Sequence, residues 1–353
     1  MTNESLLKIE RTQVKAKFLA AAGWGGAQVA VLAGDASNRR YDRVSGTSGP
    51  AVLMDSPKER GEDITIFLAF TQLLRDLGYS APEIYEVDVN TGFALIEDLG
   101  DDLYAKIAAQ NLAQEHEIYA AAVDLLADLH KTTPPAKAGQ NPITAPVNPY
   151  DMSVLTREAM LLLEWWYLGA TGKPASPDLC MEYKALITGT CERVAADRSA
   201  LVLRDYHAEN LLWLPSRSSH KRVGLLDYQD ALAGSPAYDL ASLLEDARRD
   251  TSIELQAAMI DRYIRVAGVS RDQFTTDYTM LAAQRNLKIV GIFARLCIRD
   301  GKAHYLDLIP RVWAHLMHDL SHPRLSELSA FISKWVPAPT PDLLTRVGAQ
   351  ATK

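Results

Sequence analysis

The stretch LRDYHAENLLWL, Leu203 to Leu214, sets Arg204, Asp205, His207, Glu209 and Asn210 among apolar residues. Asp205 follows the apolar run ALVL and stands five residues before Asn210. That run predicts a buried strand, and a carboxylate at its end can accept a hydrogen bond from an attacking hydroxyl and take its proton. The side-chain carbonyl of Asn210 can bind Mg²⁺ without adding charge. A second apolar run, VGLL, ends at Asp227, whose carboxylate can hold the metal that bridges nucleotide phosphates. Phosphoryl transfer asks for little covalent help from a protein. It needs a positioned hydroxyl, metal, and fixed positive charge. An aspartate, an asparagine five residues on, an apolar hairpin and a second aspartate make a fairly specific pattern for that chemistry.

Other elements must hold these residues. Ser5 to Ala22 reads as a helix ended by Gly23 and Gly25-Gly26. AQVAVLAG and NRRYDRVSG read as strands joined by the turn GDAS, and AVLM as a third strand. Glu62 to Gly78 carries apolar residues at helical spacing. EIYEVDVNTGFALIEDLG reads as a hairpin turning at Asn90-Thr91-Gly92. After Gly100 the pattern is mostly helical, interrupted by the Pro-rich stretch Thr132–Pro149, read as a long surface loop, and by two short strands, ALVLRD and RVGLLDYQD. The expected fold is α+β and protein-kinase-like: residues 1–99 form a small antiparallel-sheet lobe that binds nucleotide, and residues 100–353 a larger, mainly helical lobe with the catalytic loop, metal site and acceptor site. The small residues of GDAS let backbone amides approach a phosphate, so Gly34, Asp35, Ala36 and Ser37 are expected over the nucleotide phosphates.

The phrases LRDYHAEN, LLDYQD and PAYDLASLL resemble the aminoglycoside phosphotransferase/choline kinase family. The resemblance runs from GDASNRRY to about Leu316. It implies that Asp205 is the catalytic base, that Asn210 and Asp227 are metal ligands, and that Asp239 braces the catalytic loop. It also implies that the connector at Glu97 and Leu99 meets adenine through its backbone. Within the family, GDAS-x-RRY-x-RV, MD-x-P, RDYH-x-x-N, DYQDA and RNLKI-x-GIFARL resemble bacterial cell-wall-recycling kinases, which act on the anomeric hydroxyl of N-acetylmuramate and N-acetylglucosamine. ATP and Mg²⁺ are the implied cofactors. One departure matters: many relatives carry a lysine on the third strand, where this chain has Met54. Arg39, Arg40 or Arg43, on the second strand beside the GDAS turn, is expected to reach the phosphates instead.

For the acceptor, Trp165 and Trp166 can stack on a sugar, although such residues are more often core. His207 and Glu209 flank Asp205 and can bond sugar hydroxyls. Asp230 can touch substrate or metal. Lys288, on a helix with Arg285 and Asn286, can face an acidic acceptor. Other acceptors, an aminoglycoside or a choline-like amine, and a nucleotide-binding pseudokinase without turnover are the alternatives.

Bulk properties agree. The chain has 353 residues, a formal net charge of −7, 48% apolar and 23% charged residues. The negative average field speaks against nucleic acid or an anionic membrane as partner. The three cysteines, Cys180, Cys191 and Cys297, show no metal or disulfide spacing. The expected protein is a cytoplasmic monomer that meets only a nucleotide and a small sugar.

Overall fold

The structure is a computed structural model and describes residues 3–34, 39–47 and 49–352. Helix α1 (Asn3–Ala21) precedes strands β1 (Gln28–Gly34), β2 (Arg40–Gly46) and β3 (Gly49–Asp55). Helix α2 (Ile64–Asp76) is followed by β4 (Ile84–Asp88) and β5 (Phe93–Glu97). Next come α3 (Tyr104–Gln110), α4 (Leu112–Leu129), the hairpin β6 (Lys137–Gln140) and β7 (Ile143–Pro146), and α5 (Met152–Leu161). A π-helical segment (Leu162–Tyr167) leads into α6 (Leu168–Thr171) and α7 (Pro177–Cys191). Four short strands follow, β8 (Ala200–Val202), β9 (Leu211–Trp213), β10 (Val223–Leu225) and β11 (Leu232–Gly234). Helices α8 (Ala237–Leu244), α9 (Ile253–Ala267), α10 (Arg271–Ile298), α11 (Ile309–Asp319), α12 (Ser326–Trp335) and α13 (Pro341–Gly348) complete the chain.

These elements form two compact units. The first comprises Met1–Leu103, Ala136–Pro146 and Asn210–Gln229. The second comprises Tyr104–Pro135, Val147–Glu209 and Asp230–Lys353. The expected division at residues 99 and 100 therefore misses two returns of the chain to the sheet unit. The stretch read as a surface loop holds the hairpin β6–β7, which packs on α2. Gly139 makes that approach possible: it has φ 76°, and a Cβ there would lie 2.9 Å from Ala69. The second return is the hairpin β9–β10, joined to the sheet unit by bridges from Ser80 to Gly224 and Leu103 to Leu212.

The first unit is built on an antiparallel sheet in the order β1-β2-β3-β5-β4. Alternation along β3 and β5 turns Ala51, Leu53, Phe93 and Leu95 toward Phe18 and Leu19 of α1, where they form a core. Helix α2 starts at Asp63, whose side chain accepts from the Thr65 N–H, and buries Phe67, Phe70, Thr71 and Leu74. In the second unit α10 is the central rod, with α5, α8 and α11 packed on it and Met280 to Val290 buried without interruption. A helix buried all round explains why polar Arg285, Asn286 and Lys288 lie inside rather than on a solvated face.

The runs ALVLRD and RVGLLDYQD hold β8 and β10, and two further three-residue strands pair with them. β8 pairs with β11, and β9 pairs with β10. LLW and LAG are only three residues long and flank loops, so period-two patterning has too little length to mark them.

Candidate active site

In the second unit, β8 delivers the chain into the turn that carries Asp205. Arg204, just before it, has φ 70°, the left-handed region that a non-glycine residue occupies at a cost on the order of 1–3 kcal/mol. The surroundings hold it there. The Asp239 carboxylate, on α8 and fully buried, accepts from the N–H of Leu203 at 2.6 Å and of Arg204 at 2.8 Å. Ser242 Oγ, one turn on, donates to the Arg204 carbonyl at 3.0 Å. The Asp205 N–H donates to Leu203 O, and the His207 N–H to Asp205 O. Further along, Tyr206 Oη donates to Ala122 O at 3.0 Å, and the Ala105 N–H donates to Ala208 O. Asp239 is thus the brace that the resemblance implied.

The Arg204 guanidinium reaches Glu158 at 2.5 Å, and the same carboxylate oxygen lies 3.2 Å from Lys288 Nζ. Tyr150 Oη donates to the other Glu158 oxygen at 2.5 Å, and Lys288 Nζ donates to Tyr238 Oη at 3.1 Å. Burial would raise the Glu158 pKa, but Lys288 and Arg204 outweigh it and hold the carboxyl below its ordinary value. Burial opposes the charge on Lys288 too, yet Tyr238 and Glu158 keep its pKa raised. Lys288 is therefore an interior member of a buried ion cluster with Arg204 and Glu158, its ammonium spent on Glu158 and Tyr238. Arg285, also buried, donates to Glu245 O at 3.0 Å.

The other expected acceptor residues fall into two groups. Trp166 is fully enclosed and spends its indole N–H on Pro337 O at 2.9 Å, which leaves no ring face for a sugar. Trp165 is half-buried on the same π-helical segment. Near Asp205, His207 is buried, and that burial lowers its pKa to about 4, so the imidazole is neutral at neutral pH. Glu209 is exposed and pairs with Arg248 at 2.8 Å, and the Asp230 side chain is exposed. Arg248, Asp246 and the buried ion cluster carried no signal that separates them from ordinary surface or core charges in sequence.

In the first unit, Asn210 and Asp227 flank the β9–β10 hairpin, and the Leu226 N–H donates to Asn210 O at 3.0 Å. Asp227 also sits in the left-handed region, at φ 56°. Gln229 Nε2 donates to its Oδ1 at 2.7 Å. Tyr228 anchors it: the buried ring stacks on Phe67, with centroids 5.8 Å apart, and its hydroxyl meets Thr71 Oγ1 at 2.7 Å, both on α2. The same helix is preceded by Glu62, which pairs with Arg39 at 2.8 Å. Met54 is fully buried between Tyr41 and Ala94 on the neighbouring strands. Arg40 is exposed, and Arg43 is held by Asp98 at 2.7 Å and Asp101 at 2.9 Å. Gly34 ends β1 opposite Arg40, while Asp35, Ala36 and Ser37 lie outside the described residues. The Glu97 N–H is taken by Glu83 O at 2.7 Å, and its side chain pairs with Arg217. Leu99 makes no hydrogen bond with another described residue.

Asn210 and Asp227 offer hard oxygen donors, the kind that would suit Mg²⁺. Among the described residues, no three His, Cys, Asp or Glu side chains gather into a metal-binding group.

A five-stranded antiparallel sheet with α2, a mainly helical unit with a braced aspartate turn, and an Asn/Asp hairpin define a kinase-like phosphotransferase. The chain belongs to the phosphotransferase enzyme family whose model is named APH, which matches residues 28–275. It is 36% identical to an N-acetylmuramate/N-acetylglucosamine kinase of Caulobacter vibrioides, covering 95% of this chain and 99% of that one. Three further curated relatives carry the same name. Among solved structures, an ethanolamine kinase of Plasmodium vivax aligns with TM-score 0.56 and 13% identity over 85% of this chain and 84% of that one. An ADP-bound aminoglycoside phosphotransferase, APH(2″)-Ib, aligns with TM-score 0.53 and 14% identity over 82% and 92%.

Proposed function

We propose that this protein transfers the γ-phosphoryl group of ATP to the anomeric hydroxyl of N-acetylmuramate and N-acetylglucosamine. The observation that carries the reading is Asp205 on its braced turn, in a chain that matches a kinase of those two sugars over nearly its whole length. Asp205 accepts a hydrogen bond from the sugar C1 hydroxyl, orients its oxygen toward the γ-phosphorus, and takes its proton as the bond to phosphorus forms and ADP leaves. A hemiacetal hydroxyl is more acidic than an ordinary alcohol, so a carboxylate base suffices. Asn210 and Asp227 hold Mg²⁺, which offsets phosphate charge when bound. Arg39, oriented by Glu62, supplies the cation that the third strand lacks, and the GDAS segment covers the phosphates. The Leu99 backbone meets adenine. His207 and Glu209 face the sugar. No helix among the described residues is long and apolar enough to cross a membrane. Free Cys191 and Cys297 are buried and suit the reducing cytoplasm, where we place a monomer.

The test is Asp205→Asn. Loss of a positioned general base lowers kcat by about 10²–10⁴-fold, while nucleotide binding by calorimetry is retained. A variant that keeps its turnover contradicts the role of Asp205.

A further inference from the structure

The two sugars named by the relatives differ in one respect that a protein charge can read: N-acetylmuramate carries a lactyl carboxylate and N-acetylglucosamine does not. A site that takes both has a cation for that carboxylate or ignores it. Among the described residues of the second unit, Arg204 and Lys288 interact electrostatically with Asp205, and Arg248 and Arg285 with His207. Arg204, Lys288 and Arg285 are withdrawn. Arg204 and Lys288 share the buried Glu158, and Arg285 is buried with a backbone carbonyl as its partner. Lys288, the residue whose sequence position suggested an acidic acceptor, is thereby excluded.

Arg248 differs. Its side chain retains 31% exposure and forms an ion pair with Glu209, Nε lying 2.8 Å from a carboxylate oxygen; among the described residues its two terminal nitrogens donate no hydrogen bond. Glu209 lies four residues beyond Asp205, so the ion pair joins Arg248 to the Asp205 loop. The segment that presents Arg248 is held firmly. Buried Asp246 accepts from the Arg248 N–H at 2.8 Å, Arg311 donates to Ala247 O at 3.0 Å, and Arg285 donates to Glu245 O. Neighbouring Arg249 is spent on Glu115 and Tyr119. A guanidinium that meets one carboxylate on its Nε side keeps its outer edge for a second, and that edge matches a carboxylate in the plane of two N–H donors.

We infer that Arg248 is a specificity-determining residue that reads the acceptor's carboxylate, with Glu209 setting its orientation. This assignment rests on the proposed sugar-kinase activity. The experiment measures kcat/KM for N-acetylmuramate and for N-acetylglucosamine in the wild type, Arg248→Gln and Arg248→Lys. Their ratio is independent of the fraction of protein that is folded. The expected result is a ratio lowered at least tenfold in Arg248→Gln, through KM for N-acetylmuramate, and partly restored in Arg248→Lys. A ratio within twofold of wild type in Arg248→Gln overturns the assignment and leaves the kinase reading standing. A wild type inert to both sugars overturns the kinase reading, and this assignment with it.

Discussion

At the residue scale, the site depends on side chains that hold Asp205 rather than on Asp205 alone. Arg204 and Asp227 both occupy left-handed backbone, and each is held by buried partners: Asp239 and Ser242 for the first, Gln229 and Tyr228 for the second. His207 gives this scale its prediction. Its folded pKa of about 4 lies below that of an unfolded histidine, so the unfolded chain binds the proton first as pH falls. The stability from keeping this imidazole neutral is full above the unfolded pKa and is lost as pH drops toward 4. Between pH 7 and 5, wild type is expected to lose about 2 kcal/mol more than His207→Gln in denaturant unfolding. Parallel losses would contradict a buried neutral His207. Sequence singled out Asp205, Asn210 and Asp227 as the residues proposed to do chemistry, because Asp, Asn and Asp at that spacing have few other uses. It did not show which polar residues lie inside. Lys288 reads as a surface charge until its partner Glu158, well over a hundred positions away, is known.

At the element scale, two helices do most of the positioning. Helix α10 meets the α5 end so closely that a Cβ on Gly291 would lie 2.3 Å from the Leu161 carbonyl carbon. The π-helical turns begin at that crossing, with Leu162. Gly291→Ala must move backbone, and a loss of about 1–3 kcal/mol in unfolding free energy is expected, as for overpacking in other cores. Unchanged stability would show the crossing to be looser. Helix α2 ties Glu62 and its partner Arg39 to Tyr228 beside Asp227 within one unit. Arg39→Ala is therefore expected to raise the Michaelis constant for ATP by about 10–100-fold, the worth of a hydrogen bond to a charged group. An unchanged constant would return the cation role to another residue. The hairpin at Asn90-Thr91-Gly92 and the helix α2 were legible because turn chemistry and long periodicity are local signals. The β6–β7 hairpin was hidden by its prolines, and the pairing of β8 with β11 by their brevity.

At the scale of the whole molecule, the chain changes unit between Glu209 and Asn210, so the proposed base and the proposed metal ligands belong to different compact units. The mixed fold, sheet first and helices after, was legible from composition and period. The division at residue 99 was not, because the later returns at Ala136–Pro146 and Asn210–Gln229 are joined by tertiary contacts alone. The buried Met54, on a strand where many kinases place a lysine, makes turnover the decisive question for the entire molecule. The most direct measurement is phosphorus NMR of the product formed from Mg-ATP and N-acetylglucosamine. The expected spectrum shows one new phosphate coupled to the proton on C1, absent when Asp205→Asn replaces the wild type and absent with the 1-deoxy sugar. A phosphate coupled to any other ring or C6 proton, or tight ATP binding with no phosphorylated sugar, would contradict the account.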